Sequence, residues 1–163
     1  PGVPSAFVVD STTIPAGPLP VTTRVSGIRY TLRDDLGLPV RDASITFVAT
    51  GPTTDSASVP GTTVTNAEGV ATVSWRLGTK TGRYVLKATV GDEVDSIVVN
   101  ATPDASRELV RDTLNDGSQR PETLNAVLAG TASTDTIVVA VQDKYKNRVS
   151  GVPIAFAEPN PTG

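Results

Sequence analysis

Residues 28–47, IRYTLRDDLGLPVRDASITF, return without a gap as residues 137–156, IVVAVQDKYKNRVSGVPIAF, at an offset of 109. Ile28 matches Ile137, Leu32 matches Val141, Asp34 matches Asp143, Val40 matches Val149, Ile45 matches Ile154 and Phe47 matches Phe156. Self-similarity at a fixed period means that one structural unit is used more than once, and this decides the architecture. Upstream, PSAFVVDST from Pro4 matches DASRELVRDT from Asp104 at an offset of about 101. The second copy therefore has a longer connection, residues 115–130, before its first matched strand. Nothing after the second copy corresponds to residues 55–102. The expected organisation is one complete domain over residues 1–102 and the N-terminal half of a second over residues 103–163. Half a sandwich leaves its inner face and its sheet edges open. Three accounts of the half unit are open: a boundary of the piece, disorder beyond residue 163, or completion by strands of another chain. A boundary is the expected one.

Composition supports strands. The chain of 163 residues holds 23 Val and 23 Thr, both β-branched and both favoured in strands. The 14 Gly and 13 Pro supply turns between them. There is no Cys, His or Met. This removes Ser-His-Asp and Cys-His catalysis, imidazole and thiolate metal sites, and disulfides. The net charge of −3 and a pI near 4.9 give no basic footprint for nucleic acid. No apolar run reaches the roughly 18 residues that a membrane helix needs, so no direct membrane insertion is expected.

Alternation of apolar and polar residues marks the strands. Ile28, Tyr30 and Leu32 share one face, as do Ala43, Ile45, Phe47 and Ala49. Ala71, Val73, Trp75 and Leu77 form a third set, and Tyr84, Leu86, Ala88 and Val90 a fourth. Ile97 and Val99, residues 7–9 and residues 21–25 suggest further strands, about seven in all. Residues 122–128 are the nearest approach to a helical turn. Asn66-Ala67-Glu68-Gly69 reads as a turn with an Asn side chain on its backbone and Gly where φ is positive. Gly78-Thr79-Lys80-Thr81-Gly82 and Gly91-Asp92-Glu93 read as hairpin connections. Seven antiparallel strands in about 100 residues point to an all-β, immunoglobulin-like β-sandwich.

The run Asp34-Asp35-Leu36-Gly37-Leu38-Pro39-Val40, followed by Ile45-Thr46-Phe47, resembles the D-x-x-G-N-P-V-x-x-V-x-V-x-F signature of bacterial Ig-like domains, group 1. These are the repeats of invasin- and intimin-type surface proteins. Val64 to Val73, with Asn66 and Gly69, resembles that family's T-x-x-x-G-x-A turn and strand. Gly82-Arg83-Tyr84-Val85-Leu86-Lys87-Ala88 resembles its G-x-Y-x-V-x-A strand. The second copy repeats the first signature from Asp143 to Val149 and on to Phe156. Leu38 stands where the family has Asn, Lys146 where it has Gly, and Trp75 is bulky for its strand. The resemblance implies that Asp34, Gly37, Val40, Phe47, Asn66, Gly69, Trp75, Gly82, Tyr84, Asp143 and Phe156 are core and turn residues. It also implies an extracellular or cell-surface location and adjacent Ig-like repeats as partners.

The candidate sites each have a plainer reading. Asp34 and Asp35 could serve as an acid–base pair or bind calcium, but neighbours on a strand point to opposite faces. The second copy also replaces Asp35 by Lys144, so capping of the turn is the better reading. Asp92, Glu93 and Asp95 form a further acidic cluster, with Asp92 and Asp95 as calcium candidates; a solvated turn is favoured there. Trp75 could stack on a sugar, yet it shares the apolar parity of its strand and belongs to the core. Arg29 and Arg33 share an outward face and are expected to make cross-strand ion pairs. Pro159-Asn160-Pro161-Thr162-Gly163 reads as a loop matching Gly51-Pro52-Thr53-Thr54. No catalytic set and no cofactor site are expected. The function expected is a non-enzymatic structural segment of a bacterial surface protein, a stalk or fibre spacer. Strand complementation into a homo-oligomer and a carbohydrate- or protein-binding accessory module are the alternatives.

Overall fold

The computed structural model describes residues 2–52, 57–111 and 138–157. It divides into two compact units, Pro1–Pro103 and Asp104–Gly163. The helical turn expected at residues 122–128 and the loop expected at residues 159–163 lie outside the described residues.

The first unit holds eight strands: β1 (Pro4–Val9), β2 (Leu19–Pro20), β3 (Arg24–Asp34), β4 (Ser44–Thr50), β5 (Thr62–Val64), β6 (Val70–Arg76), β7 (Gly82–Val90) and β8 (Glu93–Thr102). They form two sheets. One has the order β1-β3-β6 and the other β2-β8-β7-β4-β5. All pairings are antiparallel except β2 with β8. The N-terminal run therefore serves both sheets: β1 borders β3, and β2 crosses to run parallel to β8. This is an immunoglobulin-like sandwich.

The core follows from period-two alternation. Ile28, Tyr30 and Leu32 of β3 and Ala71, Val73 and Trp75 of β6 face Ile45, Phe47, Tyr84, Leu86, Ala88, Ile97 and Val99 of the other sheet, and all are buried. Phe7 stacks on Tyr30 with ring centroids 5.1 Å apart, and Phe47 meets the same ring at 5.5 Å. A bulge between Val25 and Ile28 resets the parity of β3, so that both side chains point inward.

Two local expectations change. Residues 21–25 are not one strand. Thr22 has φ of 63° and turns the chain, its N–H donating to the Gly78 carbonyl at 2.8 Å, and β3 starts at Arg24. Residues 78–82 are not a hairpin loop, because β6 pairs with β3 while β7 pairs with β4 and β8. The segment crosses from sheet to sheet. The Tyr84 hydroxyl donates to the Lys80 carbonyl at 2.8 Å, a tyrosine corner that fixes this crossing. Alternation reveals which face a residue takes; it carries no information about which strand lies alongside. Residues 91–92 do form a two-residue hairpin between β7 and β8.

In the second unit, β9 (Glu108–Arg111) pairs antiparallel with β10 (Val139–Gln142). Leu109 stands opposite Val141 as Phe7 stands opposite Leu32 in the first unit. The upstream offset is thus 102, against 109 downstream, so the connection after β9 is seven residues longer than the one after β1.

Candidate functional site

The residues singled out by the sequence gather at turns. At Asp34 the backbone N–H donates to Leu38 O at 3.0 Å, and Gly37 N–H donates to Asp34 O at 3.0 Å. One carboxylate oxygen, Oδ1, accepts the N–H groups of Leu36 at 3.1 Å and Leu38 at 2.8 Å. Gly37, with φ of 76°, supplies the left-handed position. This is a three-residue loop built on a type I turn with an Asx cap.

The same turn recurs 109 residues later. Asp143 N–H donates to Asn147 O at 2.9 Å, and Asp143 Oδ1 accepts from Tyr145 at 2.8 Å and Asn147 at 2.9 Å. Lys146 takes the left-handed position with φ of 68°. Val149 N–H donates to Val141 O at 2.8 Å, as Val40 N–H does to Leu32 O at 3.1 Å. Asn147 adds one bond that Leu38 cannot make, from Nδ2 to Asp143 Oδ2 at 2.8 Å. A third copy stands at Asn66, whose Oδ1 accepts from Glu68 at 3.1 Å and Val70 at 2.8 Å, with Gly69 at φ of 70°. Here glycine is required twice over, because a Cβ would also strike the Leu32 carbonyl.

The remaining residues divide between core and surface. Trp75 is 1% exposed and sits in the core, its Nε1 without a protein partner. Val40, Phe47 and Tyr84 are buried, and Gly82 packs against Pro52. Every aromatic residue of the first unit is buried, which leaves no stacking platform there. Phe156 departs from its match: Phe47 is buried, whereas Phe156 is 72% exposed and residues 152–157 pair with no strand among the described residues. Phe47 lies on β4, which β5 and β7 hold in its sheet, and it is covered by the facing sheet, where it meets the Tyr30 ring at 5.5 Å. Residues 152–157 have no flanking strand among the described residues to hold Phe156 against such a face.

The calcium candidates do not converge. Asp34 directs Oδ1 to backbone N–H groups, and Asp92 is exposed in the β7–β8 loop. Asp95 is a stitch between the sheets: its Oδ2 accepts the N–H of Val9, in β1, at 3.2 Å. Among the described residues no three or more Asp or Glu gather as metal ligands. Sequence reasoning missed the role of Asp95, although its parity with Ile97 and Val99 signals an inward position at the rim. Burial, and after it the Asp95 charge, push the Tyr30 hydroxyl far above the ordinary phenol range. Thr65 was missed as well. Its buried hydroxyl donates to Val40 O at 2.8 Å and accepts from Ala43 N–H at 2.9 Å, tying the loop after the Asp34 turn to β5. Arg33 also differs from expectation: it donates to the Gly37 carbonyl at 2.8 Å instead of pairing with a carboxylate.

The Asp143 carboxyl is pulled both ways. Burial raises its pKa, but the Asn147 side chain and the N–H groups of Asn147, Asp104 and Tyr145 outweigh it, and the carboxyl lies below its ordinary range. No helix among the described residues is long and apolar enough to cross a membrane.

No family model matches the sequence, and no curated protein does. Several solved structures are similar to it. The Escherichia coli adhesin FdeC aligns over 92% of this chain and 45% of its own, with 18% identity and a TM-score of 0.55. The D00-D0 domain of intimin aligns over 61% of this chain and 46% of its own at 20% identity, with a TM-score of 0.45. The S-layer protein rSbsC aligns over 86% of this chain and 21% of its own at 17% identity, with a TM-score of 0.47. The chain spans less than half the length of each of these structures. The likeness to FdeC bears on the fold: this chain has the immunoglobulin-like β-sandwich fold found in that bacterial adhesin.

Proposed function

We propose that the chain is a non-enzymatic structural segment of a bacterial cell-surface protein, in which tandem sandwiches act as a stalk or spacer. The observation that carries this reading is the repeated turn: the same hydrogen bonds close at Asp34 and at Asp143, 109 residues apart. One unit design is used in series along the chain. The second unit is read as the N-terminal half of another sandwich, and neighbouring repeats are the partners. The Asp34, Asp143 and Asp95 carboxylates are engaged with backbone N–H groups, in keeping with a structural role. Likeness in fold to an adhesin supports a surface location.

Stretching the full chain tests this. The β4–β7 and β7–β8 ladders must break cooperatively, so the first unit is expected to give one discrete force peak. The peak releases roughly 3.5 Å per residue, or about 350 Å for its chain. Smooth extension without a peak would remove the mechanical reading.

A second reading has its own observation. Leu109, Ile154 and Phe156 of the second unit are 55%, 36% and 72% exposed. Exposed apolar side chains in a unit with a two-stranded ladder suit strand addition from a second copy, building a fibre. Sedimentation across a wide concentration range distinguishes the two: a persistent monomer at high concentration excludes the fibre.

A further inference from the structure

Four of the six arginines of the first unit lie on β3 and β6 and point outward from the three-stranded sheet: Arg24, Arg29, Arg33 and Arg76, all exposed. The unit as a whole holds eight Arg and Lys against nine Asp and Glu, so the positive face is a local excess. The acids go elsewhere. Asp34 turns its carboxylate to its own turn, Asp42 lies 3.9 Å from Arg41, and Asp92, Glu93 and Asp95 belong to the β7–β8 hairpin. Asp35 and Glu68 sit in turns at the Arg33 end. Asp10 stands opposite Arg29, but its Oδ1 accepts the N–H and hydroxyl of Thr12.

Arg24 and Arg76 are paired directly across β3 and β6. Residues so placed have Cα atoms about 5 Å apart, and like charges there repel. None of the four arginines is in an ion pair among the described residues. Among those residues Arg24 makes no side-chain hydrogen bond, and Arg76 makes one, from Nε to the Thr22 carbonyl at 3.0 Å. Two guanidinium groups held side by side without a carboxylate are completed by an anion from outside, and guanidinium grips carboxylate in a two-bond fork.

The rest of the face says which kind of anion. Arg24 to Arg33 spans nine steps of one strand, about 30 Å. Hydroxyls of Thr31, Thr72 and Ser74 share the outward parity with the arginines. The face has no aromatic residue, and Val8, at the β1 edge, is its exposed large apolar side chain among the described residues. A protein partner would want an apolar centre, and single-stranded nucleic acid would want rings to stack on. A polymer of hydroxyls and spaced carboxylates matches what is there.

We infer that the outward face of the β1-β3-β6 sheet binds a linear, carboxylate-bearing glycan, with Arg24 and Arg76 clamping one carboxylate and Arg29 and Arg33 guiding the polymer along β3. This site lies on the first unit alone and does not rest on the spacer reading.

Titration of the full chain with polygalacturonate at low salt tests it. Binding is expected, and it weakens as salt rises. R24Q/R76Q is expected to weaken it by about tenfold or more. R41Q/R83Q removes the same charge away from the face and is expected to change it by less than about twofold. Arg24 holds nothing inside the unit, so R24Q alone is expected to weaken binding several-fold while the melting temperature stays level or rises, as a like-charge pair is relieved. That single variant carries the test if R76Q loosens the Thr22 turn. No binding of polygalacturonate overturns the inference. So do equal losses in the two double variants, unchanged binding by R24Q, a lowered melting temperature in R24Q, equal binding of uncharged dextran, or tighter binding of duplex DNA. Titration reads the face and stretching reads the spacer, so either can fail without the other.

Discussion

At the scale of the residue, one Asx side chain organises each of three turns, and the glycine requirement differs among them. Gly37 has open space around it, and Lys146 already occupies the same left-handed position in the second unit. Gly69 faces the Leu32 carbonyl, which itself is bonded to Val40 N–H. Replacing Gly37 by Ala is therefore expected to cost about 1 kcal/mol, the left-handed penalty alone. Gly69→Ala is expected to cost clearly more, because β3 and β6 must also separate. Urea midpoints of the two variants check the order. The Asp143 turn adds a pH dependence. Its carboxyl is lowered in the folded state, so its contribution is complete above the ordinary value of 3.8 and is lost as pH falls through the lowered value. The Tyr145 and Asn147 amides are expected to lose exchange protection in that acid window. In D143N, which has no carboxyl to protonate, this step disappears.

At the scale of the element, the crossing between sheets matters more than any single strand. Tyr84 anchors the segment between β6 and β7 through its hydroxyl, while its ring fills the core. Tyr84→Phe keeps the ring and removes the bond, and is expected to cost about 1 kcal/mol, a few degrees in melting temperature. Leu86→Ala, one pleat further along β7, creates a cavity between the sheets and is expected to cost about 2–5 kcal/mol. On the opposite face of β4, Val48 is exposed, and Val48→Ala is expected to change stability by less than about 0.5 kcal/mol. Equal costs at Leu86 and Val48 in denaturant titrations would contradict the sandwich core described above.

At the scale of the whole molecule, the first unit has two covered sheets and a closed core, whereas the described part of the second has a two-stranded ladder and a turn. Two-stranded ladders are marginal alone, so the units are expected to differ in stability. Hydrogen exchange on the full chain is expected to show the slowest amides in β3, β7 and β8 and much faster exchange in β9 and β10. Uniform protection across both units would show that the second is completed, for instance by strands of another copy.

Strands, their inward faces and the capped turns were legible in the sequence, because period-two alternation and Asx-Gly chemistry are local. Ile28, Tyr30, Leu32, Trp75 and Leu86 declare their face by parity, and Asp34, Asn66 and Asp143 declare their turns by spacing. The 109-residue repeat likewise announced that Asp34 and Asp143 do the same work. What the sequence left open depends on partners far away in the chain. Pairing assigned β6 and β7 to different sheets, where adjacent alternating runs suggested a hairpin. Asp95 became a stitch only when β1 lay beside β8. Phe47 and Phe156 share a motif, yet one is buried and the other exposed, since burial is decided by the strands and the facing sheet around a residue and not by the residue itself. Only the tertiary structure gave the second oxygen of Asp143 its partner, because a bond spanning 39 residues is fixed by how the chain returns on itself.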